Sequence, residues 1–203
     1  MSLVHIPKID VEALRCEIRR EYREVARNPG KGFHFHTGRP LARLLGYGEE
    51  TIDSIPERSV ESLAGVGNPF RLGEIAAGER VVDLGCGAGF DSLIAAQKVG
   101  PEGQVIGIDM TAEMLEKARM SACEMGLANL QLHQAYIEDS PVEDGWADVV
   151  ISNGVINLVP DKAAVWREVH RVLRPGGRVQ IADIRVAIAV PDEAKDDIDL
   201  WSG

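Results

Sequence analysis

The residues best suited to chemistry lie in one stretch, VVDLGCGAGFD (81–91). An apolar run ends in an acid, Asp83, and Gly85, Gly87 and Gly89 then alternate ahead of a helical segment. Glycines let a ligand approach the main chain closely. The helix start beyond them presents unpaired N–H groups. The spacing departs from the dinucleotide fingerprint G-x-G-x-x-G, which needs glycine where Phe90 stands. A second acid, Asp109, closes the next apolar run, VIGIDM (105–110). At the C-terminal edge of a second strand its carboxylate can accept both hydroxyls of a ribose. The alternative role for Asp109 is an acid at the start of the helix that Thr111 would cap.

Elements must hold these residues in place. From residue 71, short β-branched runs alternate with helical segments. Strands are expected at 80–84, 104–109, 130–135, 147–152 and 178–184, and helices at 90–98, 111–125 and 161–173. Strands separated by helices mean right-handed crossovers and an α/β fold with a mostly parallel sheet covered on both faces. Ahead of it, residues 10–28 read as an amphipathic helix, with Asp10 as N-cap and Asn28-Pro29-Gly30 as its end. Val11, Leu14, Ile18, Tyr22 and Val25 form its apolar stripe. Arg15, Arg19, Arg23 and Arg27 form a cationic row, read as a solvated face balanced by Glu12, Glu17, Glu21 and Glu24. Short helices are expected near 39–46 and 56–63. Residues 1–70 are taken as a helical N-terminal cap and 71–203 as the core.

Composition bounds the possibilities. The 203 residues are 45% hydrophobic and 27% charged, which suits a globular chain and excludes a wholly disordered one. A net charge of −10 argues against nucleic acid as a partner, since that needs cations to displace counterions. No run of 18 apolar residues points to a membrane, and MSLVHIPKID lacks a secretion signal pattern. Cys16, Cys86 and Cys123 form no CxxC pair, in keeping with a reduced, cytoplasmic setting.

Over residues 63–190 the chain resembles the class I S-adenosylmethionine-dependent methyltransferases. Five stretches match in order: VVDLGCGAGFD, VIGIDM, QAYIEDSP (134–141), ADVVISNGVINL (147–158) and RVLRPGGRVQIADI (171–184). The resemblance implies a Rossmann-like three-layer sandwich with S-adenosylmethionine as cofactor. Asp83 and the backbone of Gly85, Cys86, Gly87 and Gly89 would hold its methionine end, and Asp109 its ribose. Met110 and Ile137 would flank the adenine, Glu138 would lie near the adenine amino edge, and Asn153 beside the methionine moiety.

GIDMTAEML, ISNGVINLVPDK and LAGVGNPF are most similar to the arsenite methyltransferase-like (methyltransferase type 11) family. In that family cysteine thiolates bind trivalent arsenic, and the matching positions here are Val66 and Gly154. Soft As(III) needs soft ligands, so the cofactor site is expected and the arsenic site is not. The implied activity is methyl transfer to another small-molecule acceptor. A ubiquinone- or menaquinone-type C-methyltransferase and a catalytically silent relative are the alternatives.

If the acceptor must lose a proton, His34 and His36 of GFHFHTG (32–38) are candidate bases; as metal ligands they lack a third partner, and as surface or packed residues they would have no role. His133 and His170 are expected on a strand and a helix surface. No catalytic residue and no metal are assigned. The fifth strand should end near 184, and PDEAKDDIDLW (191–201) reads as a helix start. The family's C-terminal strands six and seven therefore look missing. The fifth strand becomes an edge that is exposed or covered by a second copy in a homodimer.

Overall fold

The computed structural model describes residues 9–187 and Trp201. Its first helix, α1 (Val11–Arg27), starts and stops where the sequence expects. The Asp10 carboxylate accepts the N–H groups of Glu12 and Ala13 at 3.0 and 3.1 Å. It thereby satisfies two of the donors that a helix start leaves unpaired. Leu14, Ile18 and Val25 form the buried stripe. Three short helices follow: α2 (Gly38–Leu44), α3 (Glu49–Asp53) and α4 (Glu57–Val60). Leu41, Tyr47, Ile52, Ile55, Val60 and Leu63 from this region pack on Phe90, Leu93 and Ile94.

The core alternates as expected. It comprises β1 (Arg80–Leu84), α5 (Phe90–Val99), β2 (Gln104–Asp109), α6 (Ala112–Glu124), β3 (Leu130–Gln134), β4 (Ala147–Asn153), α7 (Lys162–Val172) and β5 (Leu173–Ala182). The sheet order is β3-β2-β1-β4-β5, with every pairing parallel. Val81, Val82, Val105, Ile108, Val149, Val150 and Ile151 are all buried. Near-continuous apolar strands are what a sheet covered on both faces requires. The chain changes direction between β1 and β4, and open parallel sheets bind ligands beyond the strand C-termini at such a switch point.

The fifth strand departs from its expected 178–184. It begins earlier, with Leu173 opposite Ala147, and a register break between Ala147 and Val149 absorbs the Pro-Gly-Gly stretch. These turn-forming residues bend the strand without ending it. It stops at Ala182 because the next carboxylate turns away, and Asp183 Oδ2 accepts the N–H of Ile156 at 2.8 Å. The expected helix start at 191–201 lies outside the described residues apart from Trp201, as does any place for strands six and seven. Among the described residues, no helix is long and apolar enough to cross a membrane.

Candidate functional site

The glycine turn is built on β1 and pinned to β2. The N–H groups of Gly85 and Cys86 both donate to the Ile108 carbonyl, at 2.8 and 2.9 Å. Gly85 has φ +74°, and a Cβ there would lie 2.3 Å from Val155 Cγ2. Only glycine lets the turn pass so close to the loop after β4. The Gly87 N–H then donates to Asp109 Oδ2 at 2.9 Å, and the Thr111 N–H to Asp109 Oδ1 at 2.7 Å. Two backbone donors thus orient the Asp109 carboxylate, and each oxygen keeps a second lone pair for a ligand. Asp109 therefore anchors Thr111, the N-cap residue of α6, as well as facing the turn, while the Thr111 side chain makes no cap bond.

The turn opens into a cleft of about 1010 Å³, its solvent mouth included. Asp83, Gly85, Cys86, Gly87, Asp109, Met110, Ile137, Glu138 and Asn153 all line it. Gly89 does not. A Cβ on Gly89 would meet Ala118 Cβ at 2.8 Å, so this glycine seats α5 against α6. Met114, Ala135 and Thr111 extend the wall beside Met110 and Ile137, and Leu158, Val159 and Pro160 form an apolar rim elsewhere.

Helix α1 closes one side, through Leu14, Arg15, Ile18 and Tyr22. The arginine row is the solvated face expected from the sequence only at Arg23 and Arg27, which are exposed; Arg15 and Arg19 are half-buried against the core. Arg15 Nη2 donates to Glu138 Oε1 at 2.7 Å, and its guanidinium lies 3.8 Å over the Tyr136 ring. Arg19 donates to the Tyr136 hydroxyl at 2.8 Å. Arg23 and Arg27 both reach Glu113 Oε1, at 2.8 and 3.0 Å. Spacing showed that these cations share a face, and Arg15 pairs with Glu12 of the same helix, but the other carboxylates and the phenol that meet the row come from the core more than 80 residues away. Glu138, expected at an adenine edge, is thus already engaged by Arg15.

At the other end stands a buried polar group that includes residues the sequence reading passed over. Asp91, 6% exposed, accepts from the Tyr47 hydroxyl at 2.6 Å and from Asn153 Nδ2 at 3.1 Å. Asn153 Oδ1 accepts the N–H groups of Val66 and Gly67, at 2.8 and 3.0 Å. Its Nδ2 also donates to the Gly67 carbonyl at 2.8 Å. The Asn153 amide lines the cleft, but its bonds fasten the 65–67 loop to the sheet. Burial, reinforced by the Asp91 charge, pushes Asp83 up to about 8 against the Ser92 hydroxyl that it accepts at 2.6 Å. Burial also lifts Asp91 to about 6, with Tyr47 and Asn153 opposing the rise, and it raises Asp109. Asp91 closes the glycine motif itself, so its signal was present in the sequence.

His34, His36, His133 and His170 do not line the cleft. His34 sits beside Glu21, Nδ1 to Oε1 3.3 Å, with its ring edge against Phe35, and His36 is exposed. His133 lies on β3 and His170 on the exposed side of α7. Among the described residues, no group of three His, Cys, Asp or Glu could hold a metal ion. Val66 and Gly154 face one another: a Cβ on Gly154 would lie 3.4 Å from Val66 Cγ1. Cys16 and Cys123 are exposed, and Cys86 is buried in the glycine turn.

Known proteins share this architecture. The methyltransferase-domain family profile matches residues 75–202. An arsenite methyltransferase of Halobacterium salinarum is 45% identical over 159 residues, 78% of this chain and 40% of that protein. A demethylmenaquinone methyltransferase of Listeria monocytogenes is 34% identical over 114 residues, 56% of this chain and 48% of its own length. The crystal structure of an arsenic(III) S-adenosylmethionine methyltransferase from Chlamydomonas reinhardtii superimposes with a TM-score of 0.60 at 35% identity, covering 78% of this chain and 53% of that one. The chain therefore spans less than half the length of these two curated relatives.

Proposed function

Since this chain belongs to the methyltransferase-domain family, among the class I S-adenosylmethionine-dependent methyltransferases close to the arsenite methyltransferases, we propose that it moves a methyl group from S-adenosylmethionine to a small-molecule acceptor other than arsenite. The observation that carries the reading is Asp109, oriented by the Gly87 and Thr111 N–H groups where the glycine turn opens into the cleft. A carboxylate held in this way suits a ribose diol.

The rest of the cleft fits the same cofactor. Arg15 is the one lysine or arginine lining it among the described residues, and Glu138 engages it. Among the described residues Asp91 and Asp109 line the cleft without a cationic partner, so a ligand bearing a sulfonium and an ammonium meets complementary charge. Met110 and Ile137 would flank its adenine, and Asp83 with the Gly85–Gly87 backbone would hold its methionine end. When bound, this cofactor supplies a methyl group already activated by the positive sulfur. The protein's part is alignment and exclusion of water, to which α1 contributes Leu14, Ile18 and Tyr22.

Val66 and Gly154 support an acceptor other than arsenite. They stand where the resembling family carries thiolates, and neither offers sulfur to a soft metalloid. The apolar rim of Leu158, Val159 and Pro160 favours an acceptor with an apolar body. A quinol-type carbon acceptor is the second reading, favoured by that rim and by the demethylmenaquinone methyltransferase relative. The same proposal keeps the protein in the cytoplasm, treats residues 1–70 as a cap on a 71–203 core, and gives the outer edge of β5 to a second copy of the chain.

Calorimetry with S-adenosylmethionine, S-adenosylhomocysteine and NAD tests the cofactor, with binding expected for the first two alone. A folded sample that binds neither adenosyl ligand overturns the reading. Turnover with thiol, arsenite and quinol acceptors tests the acceptor, and conversion of arsenite at rates typical of the family would refute its exclusion.

A further inference from the structure

We propose that Asp91 distinguishes the sulfonium methyl donor from its thioether product, S-adenosylhomocysteine. The inference rests on the cofactor reading above and adds a specificity-determining residue to it. Asp91 is the second residue of α5, lines the cleft and is 6% exposed. Both of its partners are neutral: the Tyr47 hydroxyl at 2.6 Å and Asn153 Nδ2 at 3.1 Å. Such donors fix a carboxylate's orientation and leave its charge in place. Asn153 is itself held by the 65–67 backbone, and Tyr47 is wedged edge-on against Phe90 at 5.0 Å. The carboxylate therefore has little freedom to turn from the cleft toward solvent.

Its neighbour Asp83 is less able to do this work. Asp83 is more deeply buried, and Asp91 itself pushes it toward the protonated form. Of the two acids at this end of the cleft, Asp91 is the one pushed less far toward the protonated form.

In methyl transfer the acceptor's electron pair forms the new bond to carbon. The C–S bond pair stays on sulfur, and the sulfonium becomes a neutral thioether. Shape changes by one methyl group, whereas charge changes by one full unit. An ionised carboxylate lining the same cleft, in the effective dielectric of a protein site, separates two such ligands by about tenfold or more where it faces the sulfur. Asp91 thus holds the donor and loses its grip on the product without touching a bond that breaks or forms.

The test compares three ligands of one shape: S-adenosylmethionine, sinefungin (an amine cation in place of the sulfonium) and S-adenosylhomocysteine. Their affinities are measured by calorimetry on the full chain and on Asp91→Asn. An asparagine amide can turn its N–H toward Tyr47 or Asn153, both donors, so Asp91→Ser, too small to clash, is measured beside it, with melting curves to confirm folding. Both variants should bind the two cations about tenfold more weakly or worse, and the thioether product within about threefold of wild type. Asp91→Glu, which restores the charge, should recover the preference. Equal weakening of all three ligands, or an unchanged ratio between them, overturns the proposal. Failure of the wild-type chain to bind any of the three overturns the cofactor reading instead.

Discussion

Arg15 Nη2 donates to Glu138 Oε1 at 2.7 Å, joining α1 to the chain beyond β3 across one side of the cleft. Both side chains are mostly buried, at 22% and 16% exposed. The contact therefore matters more than an exposed pair would. Arg15→Ala removes this bond and the stacking on Tyr136, and should destabilise the fold by about 1 kcal/mol. The larger effect is expected on exchange, since α1 forms a wall of the cleft. Stopped-flow release of S-adenosylhomocysteine should become several-fold faster. An unaltered release rate would mean that α1 does not gate the site.

Asp109→Ala should weaken S-adenosylmethionine and S-adenosylhomocysteine alike, by about tenfold or more, because hydrogen bonds to a charged group contribute about 1.5–3 kcal/mol each. The even loss separates this residue from Asp91, whose loss should fall on the cations. Calorimetry reads both. Unchanged affinity would show that the ribose is held elsewhere.

Gly85→Ala places a Cβ 2.3 Å from Val155 Cγ2 at a φ of +74°. Both strain and overlap oppose it, and the expected loss is about 2 kcal/mol or more. Adding Val155→Ala removes the contacts with Cγ2 and Cγ1 at 2.3 and 2.6 Å but leaves Cβ at 2.9 Å, so it should recover most of the overlap component and leave the backbone component. Thermal melts of the single and double variants measure the two parts. A double variant no more stable than Gly85→Ala would rule out the overlap.

Asp83 makes the ligand-free protein sensitive to pH in an unusual direction. Burial, then the Asp91 charge, raises it from 3.8 to about 8 in the folded chain. A folded acid that holds its proton more tightly than the unfolded one contributes stability fully below about pH 4. That contribution is lost as pH rises through about 8, at no more than about 1.4 kcal/mol per pH unit for one proton. Glu168 acts oppositely. Its bonds from Arg171 and Ser140 hold it down at about 2, so its contribution is lost as pH falls from about 4.5 through 2. Denaturant titrations across pH 2–9 should show both arms. Binding a cation should also expel the Asp83 proton, seen as buffer-dependent heat near pH 7. The absence of that heat would mean that Asp83 is already ionised.

The sequence made some of these features legible. β1, β2 and β4 could be read because apolar runs of strand length are interrupted by glycine turns, and Asp83 and Asp109 because each acid closes such a run. Asp91 sat in the same motif, yet its meaning depended on Tyr47 and Asn153, which are 44 and 62 residues away. A pattern along one segment carries no record of such partners. The arginine row was visible for the same reason that its docking was not: four-residue spacing defines a helix face but not what covers it. At β5 the Pro-Gly-Gly stretch read as a boundary, while pairing with β4 carried the strand through it.

The hydrogen bond from Tyr47 to Asp91 bears on how this chain can be dissected. Residue 70 looks like a natural place to cut between cap and core. A fragment beginning there would leave Asp91 buried with one donor fewer. It would also uncover Phe90, Leu93 and Ile94, which the 41–63 region now covers. The two parts share an apolar cluster and a buried hydrogen bond, and both line the cleft, so whatever binds there meets both of them at once.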